Sequence, residues 1–309
     1  MFLRAHILGV SIARESDVPH ILDALSMLIA DKKFFWGAKT YVMGILNVTP
    51  DSFSGDGVAG FPNKLRDRIH CLVDERPDVL DIGGESTRPG ASVVSVDTEI
   101  GRVLPAIEMV RSLASNLPIS IDTRSARVAK KAIEAGANMI NDVSGLTHDA
   151  ELVDVVVTAG VPLVVTHNRR AHAVMTPLGG QFRGVKYSNV GEDVVREGKE
   201  LCAGAVSGGI SPDLLMFDPG FGFGKSSEQN IQLLRHLELV RQVGHPILIG
   251  VSRKSFIGEL TGKLVQDRLA GSLAAAVIVA LSGVDMVRVH DVAATRDALA
   301  VADAVVRHL

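Results

Sequence analysis

Short runs rich in Val, Ile and Leu recur along the chain, each followed by a longer stretch with helical spacing. The eight runs are YVMGILN (41–47), VLDIGG (79–84), PISID (118–122), NMINDV (138–143), PLVVTH (162–167), DLLMFD (213–218), PILIGV (246–251) and DMVRVH (285–290). Near-continuous apolar runs, as opposed to strict alternation, are the pattern of strands in a parallel sheet covered on both faces. Between them, stretches such as SARVAKKAIEAGA (125–137) and EQNIQLLRHLELV (228–240) return apolar residues at i, i+3 and i+4. Several end in Gly, as helix C-termini often do. Strands alternating with helices in this way predict an α/β fold of the (β/α)8 TIM-barrel type. A doubly wound open sheet is the alternative, but no GxGxxG follows the first run.

Two segments depart from a minimal barrel. Residues 1–38 precede the first strand as an N-terminal extension, and 39–309 form a single barrel domain. The extension is predicted to hold a helix from about Val18 to Ala30, with Asp17 as N-cap, placed to cover the barrel's N-terminal mouth. Residues 168–189 form a long, basic, Gly-containing connection after the fifth run, readable either as a lid or as an ordered surface loop.

Composition narrows the function classes. Of 309 residues, 47% are hydrophobic, which is enough for a large core, and the net charge of -3 argues against a non-specific nucleic-acid binder. The longest apolar runs, such as Leu273 to Leu281, are shorter than a membrane span of about 20 residues. The N-terminus is interrupted by Arg4, His6 and Arg14 and does not read as a secretory signal. Cys71 and Cys202 cannot build a disulfide framework and are expected to be buried thiols in a reducing compartment. A cytoplasmic protein is expected.

The polar residues collect where a barrel places its active site, at the C-terminal ends of the strands. In chain order these are Asn47, Asp81 to Glu85, Asp122, Asn141 with Asp142, His167 with Asn168, Asp218, Ser252 to Ser255, and Arg288, His290 and Asp291. Asp122, Asn141 and Asp218 together suit a planar heterocycle with several N–H donors, because such groups are costly when buried unpaired and therefore discriminate strongly. The plainer reading of Asp122 is a cap for the helix starting near Ser125. Arg88, Lys254, Arg288 and His290 bring the opposite sign, and the rigid fork of arginine suits phosphate oxygens. The plainer reading of these is ion pairing with neighbouring acids.

The runs GILNVTPDSFSGDG (44–57), DIGGESTRPGA (81–91), SIDT (120–123), IND (140–142), DPGFGFGK (218–225), GVSRKSFIG (250–258) and RVHDV (288–292) resemble the signatures of the dihydropteroate synthase family. They occur in the family's order over about residues 40–309. The resemblance implies a (β/α)8 barrel, usually homodimeric, that joins a dihydropterin-methyl diphosphate to 4-aminobenzoate in folate synthesis. Carried over by position, it implies that Asp122, Asn141, Asp218 and Lys254 hold the pterin. Asn47, Thr87, Arg88, Arg288 and His290 then surround the diphosphate, and Asn47 binds Mg2+ together with the diphosphate oxygens. Phe53, Pro89, Phe223 and Ser255 match the aminobenzoate pocket, with Ser255 where the helix after the seventh strand should begin.

The reaction so implied is substitution at the pterin's exocyclic methylene, with catalysis resting on Asp122, Lys254, Arg288 and His290. Mobile loops around Phe53 and around Thr87 to Pro89 would close over the intermediate. The apolar helix from Ala270 to Leu281 is expected at a homodimer interface. This sequence departs from the family's pattern at Asp56, one position late in the first loop, and at Thr166, where an apolar Met is usual. His167 is read as structural or pterin-lining. Two other readings share the motifs: a pterin-dependent methyltransferase, and a catalytically silent pterin-binding paralogue.

Overall fold

A computed structural model of the chain describes residues 26–49, 61–85, 94–169, 174–175, 182–183 and 185–307. The predicted runs become strands β3 (Tyr41–Asn47), β4 (Val79–Gly83), β5 (Ile119–Asp122), β6 (Met139–Asp142), β7 (Leu163–Thr166), β10 (Leu215–Asp218), β11 (Leu248–Ile249) and β12 (Met286–Val289). All pair in parallel, in the order β10-β7-β6-β5-β4-β3-β12-β11. The circle closes where Phe217 of β10 bridges Ile247 beside β11, with the Phe217 N–H donating to Pro246 O at 2.9 Å. The fold is a TIM barrel.

Period-2 alternation sorts each strand's side chains. On β7, Leu163 and Val165 pack outward with Ile140, Leu215 and Phe217 against the helices, whereas Val164 faces the barrel axis with Met43, Val79, Met139, Met216, Leu248 and Met286. That inner layer is roofed at the N-terminal mouth by Met27, Ile29, Phe34 and Trp36.

The first three belong to an antiparallel hairpin, β1 (Ser26–Ile29) and β2 (Lys32–Phe35), with Trp36 directly after it, and this corrects the expected helix over its described portion. Residues 18–25, including most of the expected helix, and its cap Asp17 lie outside the described residues. The physical reason is the alternation. Met27 and Ile29 are buried while Leu28 between them is 58% exposed, and Ala30 turns the chain at φ 53°. The open floor of the barrel offers a sink for a period-2 apolar set, which outweighs local helical spacing. Within 168–189 the described residues include a small antiparallel pairing of β8 (Val174–Met175) with β9 (Phe182–Arg183).

Helices cover the outside. The stretch 125–137 forms α3 (Ala126–Glu134), after α1 (Phe61–Asp74) and α2 (Val96–Leu113). There follow α4 (Leu152–Ala159), α5 (Val190–Ser207), α6 (Ser227–Arg235) and α7 (Leu237–Val240). The stretch 228–240, read as one helix, is thus divided at His236, whose backbone leaves the helical region at φ -120°. The last three helices are α8 (Ser255–Thr261), α9 (Leu269–Leu281) and α10 (Val292–Val306).

Cys202 is buried in α5, and burial pushes its thiol up to about 12. Cys71 is exposed, against expectation. It lies on the outer face of α1, whose inner stripe is Leu65, Ile69 and Leu72. No helix among the described residues is long and apolar enough to cross a membrane.

Candidate active site

The inward-facing side chains at the top of β4, β5, β6 and β12 form one network. Arg288 donates from Nε to Asp81 Oδ2 at 2.6 Å and from its Nη2 to Asp122 Oδ2 at 2.7 Å. Asn141 donates to the same Asp81 oxygen at 3.2 Å. One guanidinium fork therefore spans two carboxylates from neighbouring strands. Gly83, at the end of β4, leaves room above this network: a Cβ there would stand 3.5 Å from Asp122 Cβ and 3.7 Å from Asn47 Oδ1. Asp142, the next residue after Asn141, points the other way and accepts from Ser144 N and Leu146 N at 2.8 and 2.5 Å. The cap of α3 is Ser125, so Asp122 is not needed there.

Three oxygens near the pocket floor, Asp81 Oδ1, Asn141 Oδ1 and Thr166 Oγ1, are buried without a hydrogen-bond partner among the described residues. Unsatisfied buried acceptors are expensive, and a site that keeps them is arranged for donors brought by something else. Burial raises the Asp122 carboxyl to about 7 against the opposing charge of Arg288. Burial works to lower the Arg288 guanidinium, but Asp81 and Asp122 outweigh it and raise it.

The opposite wall is the loop 218–225. Asp218, 6% exposed, accepts from Gly220 N at 2.7 Å. Burial raises its carboxyl, against that hydrogen bond and the charges of Lys254, Lys225 and Arg288. Gly220 sits at φ 71°, and a Cβ there would meet His167 O at 2.0 Å, so no side chain fits. Gly222, at φ 77°, lets the Lys254 stem pass 3.5 Å from where its Cβ would stand. Lys254 Nζ then lies 4.9 Å from the centre of the Phe223 ring.

On the third side, Asn47 and His290 line one cavity of about 610 Å3 together with Lys64, Arg68, Arg253 and Asp291. His290 Nδ1 lies 3.0 Å from Ser252 Oγ. Burial, followed by the charges of Arg288 and Arg253, lowers its imidazole to about 3, so the ring is neutral at pH 7. Arg253 is spent on Asp291, at 3.0 Å through Nε. Ser255 is the first residue of α8, with Lys254 as its N-cap, as the sequence reading placed it.

The structure thus gathers Asp122, Asn141, Asp218, Lys254, Arg288, His290, Asn47, Phe223 and Ser255 at the strand ends. Phe53, Asp56, Thr87, Arg88 and Pro89 lie outside the described residues. Arg288 is ion-paired with acids, as its plainer reading had it, yet those acids are themselves in the site. Sequence reasoning gave no role to Asp81, although alternation along β4 places it on the same face as Gly83. Lys225 was missed too. A lysine after a Gly-rich turn is ordinarily solvated, and nothing local signals that this one is buried. His167, 4% exposed, has both ring nitrogens engaged: Nδ1 with Lys225 Nζ and Nε2 with Glu197 Oε2, each at 2.9 Å.

Comparison with known proteins gives the family of the chain. The family model described as pterin binding enzyme matches residues 43–290. A dihydropteroate synthase of Clostridium beijerinckii is 40% identical over 282 residues, 91% of this chain and 100% of that protein. The solved dihydropteroate synthase of Xanthomonas albilineans with 4-aminobenzoic acid has a TM-score of 0.82 at 42% identity, covering 91% of this chain and 98% of that one. The same enzyme in complex with 7,8-dihydropteroate has a TM-score of 0.79 at 40% identity over the same shares. With a barrel rim of buried carboxylates and a buried amide, and a match over residues 43–290, the chain belongs to the pterin-binding enzyme family.

Proposed function

We propose that this chain is the transferase that condenses (7,8-dihydropterin-6-yl)methyl diphosphate with 4-aminobenzoate, giving 7,8-dihydropteroate and diphosphate. The observation that carries the reading is the cluster of buried acceptors, with Asn141 Oδ1 unsatisfied among the described residues, beside the Arg288 guanidinium that bonds Asp122. Asp122, Asn141 and Asp218 accept the ring's N–H groups, and Lys254 lies along its edge. Arg288, already held by Asp81 and Asp122, faces the diphosphate with Asn47 and neutral His290. Thr87 and Arg88 belong to the same diphosphate side by their position in the motif.

In the reaction the bond from the exocyclic methylene to the diphosphate oxygen breaks, and the oxygen leaves with the electron pair. Arg288 and His290 stabilise the charge that grows there, and Asp122 and Asp218 stabilise the cationic pterin left behind. The neutral amine of aminobenzoate attacks the methylene and then sheds a proton. Its ring packs by Phe223, and Phe53 and Pro89 are assigned to the same pocket by their position in the motifs alone, while Ser255 and the backbone N–H groups opening α8 receive its carboxylate.

Among the described residues there is no cluster of three or more His, Cys, Asp or Glu side chains fit to hold a metal alone. The neutral amide of Asn47 suits Mg2+ that arrives with the diphosphate, since Mg2+ keeps several waters and leans on substrate phosphates. When bound it would neutralise charge on the departing oxygens. The test is an assay of dihydropteroate formation, in which product should require both substrates and stop on chelation. Chelator alone should leave the melting temperature without substrate within about 1 °C; a large drop would mean a structural metal instead.

The enzyme is expected to be cytoplasmic and homodimeric. The dimer is supported by Leu269, Ile278 and Leu281, which remain exposed on α9, and by Val301 and Val305 on the neighbouring α10. Light scattering should give twice the chain mass at micromolar concentration, and a monomer mass would contradict the dimer.

A further inference from the structure

The proposed chemistry makes no use of a buried chain of charge behind the loop 218–225. Lys225 is 2% exposed, and its Nζ reaches Gly220 O at 2.9 Å, Phe223 O at 3.4 Å and His167 Nδ1 at 2.9 Å. An ammonium has three donors and no acceptor, so these three contacts saturate it. The geometry then sets the histidine's proton. With Lys225 as the ammonium, which burial lowers to about 7 against the charge of Asp218, Nδ1 accepts from it and Nε2 carries the hydrogen donated to Glu197 Oε2. Glu197 is in turn gripped by Arg169 through two contacts, and Arg169 stacks 4.0 Å from the centre of the Tyr187 ring. Burial lowers His167 to about 4, which keeps the ring neutral between the two charges.

The far end of this chain is the pocket wall. Gly220 O accepts from both Lys225 and Phe223 N, the latter at 3.0 Å, while Gly220 N holds Asp218 Oδ1 at 2.7 Å. The lysine therefore grips the turn whose two ends present Asp218 and Phe223. The charged groups around it are Asp218, Glu197, Arg169 and Lys254, and Asp218 is the carboxylate that opposes the loss of its proton on burial.

We infer that Lys225 is a positioning residue for the ring pocket: its ammonium, seated by His167 and through it by Glu197, holds the Gly220–Phe223 turn in the shape that aims Asp218 at the pterin. This rests on the reading of Asp218 as a ring acceptor. The lysine touches no substrate in this scheme, so its removal should act on ring binding and spare the diphosphate side.

The experiment measures two affinities by calorimetry in wild type and Lys225→Met. One titrant is 6-hydroxymethyl-7,8-dihydropterin, which carries the ring without diphosphate; the other is inorganic diphosphate with Mg2+. Lys225→Met should weaken the pterin about tenfold to a hundredfold, the range for losing hydrogen bonds from a charged group, and leave diphosphate affinity within about twofold. Equal losses for both ligands, or pterin affinity within about twofold of wild type, would overturn the inference. If Lys225→Met does not fold, Glu197→Gln replaces it, because the amide no longer forces the hydrogen onto Nε2. That variant should weaken the pterin at least about threefold with diphosphate unchanged, and unchanged pterin affinity would overturn the inference. Wild type that binds diphosphate but no pterin would instead refute the ring-pocket reading itself, a result distinct from failure of the lysine's role.

Discussion

Asp218→Ala should cut the affinity for the pterin diphosphate by at least about a hundredfold, and Asp122→Ala should do the same, with the fold retained. Both carboxylates are almost fully buried, and burial raises both. Each is poorly solvated in the free protein, so a ligand that brings N–H donors gains nearly the full value of the hydrogen bonds. Truncation removes that gain and leaves ring donors facing an apolar gap. Stability should respond far less than binding. Loss of Asp218 frees a single backbone N–H at Gly220, and loss of Asp122 leaves Arg288 with Asp81 still at 2.6 Å. Calorimetric titration checks both variants, with melting temperature as the control. Normal pterin diphosphate affinity in either would remove that residue from the ring pocket.

Arg288 should show the largest effect on turnover. Arg288→Leu is expected to lower kcat by about a thousandfold, the order seen when a preorganised group facing developing charge is removed. Arg288→Lys should recover little. A lysine is a point charge and cannot span Asp81 and Asp122 as the guanidinium does through Nε and Nη2. Pterin without diphosphate should still bind to Arg288→Lys within about tenfold of wild type, since the ring acceptors remain. Rate measurements at saturating substrate decide it, and near-native kcat in Arg288→Lys would show that charge without fork geometry suffices.

What sequence reasoning could reach followed from how local each signal is. Covered parallel strands need apolar residues on both faces, so the strands stood out as runs, and each run's last polar residue marked the rim. Even β11, only Leu248–Ile249 long, was found because its flanks are apolar. The hairpin Ser26–Phe35 was missed because its partner surface, the methionine-rich floor of the barrel, is assembled from seven strands far apart in the chain. No window of residues around Leu28 reports that floor. Cys71 was placed wrongly for a related reason: helical spacing tells that α1 has two faces, but one residue's shift around the helix separates buried Leu72 from exposed Cys71. In the site, Asp122, Asn141, Asp218 and Arg288 were singled out individually, whereas the bonds from Arg288 and Asn141 to Asp81 were not foreseen. Asp81 was placed on the rim, but its role needs the partners that β6 and β12 supply. Lys225 and Glu197 likewise gain meaning from His167, which lies 58 and 30 positions away in the chain.

The most direct measurement is a single turnover with enzyme in excess. Pterin diphosphate, 4-aminobenzoate and Mg2+ are mixed with the protein, the reaction is quenched, and dihydropteroate and diphosphate are separated and quantified. With both substrates the two products are expected in equal amounts, and dihydropteroate is expected to be absent when aminobenzoate is left out and absent with Asp218→Ala at the same concentrations. Tight binding of the pterin diphosphate with no dihydropteroate formed would contradict it, and would mark the chain as a pterin-binding protein that does not carry out the transfer.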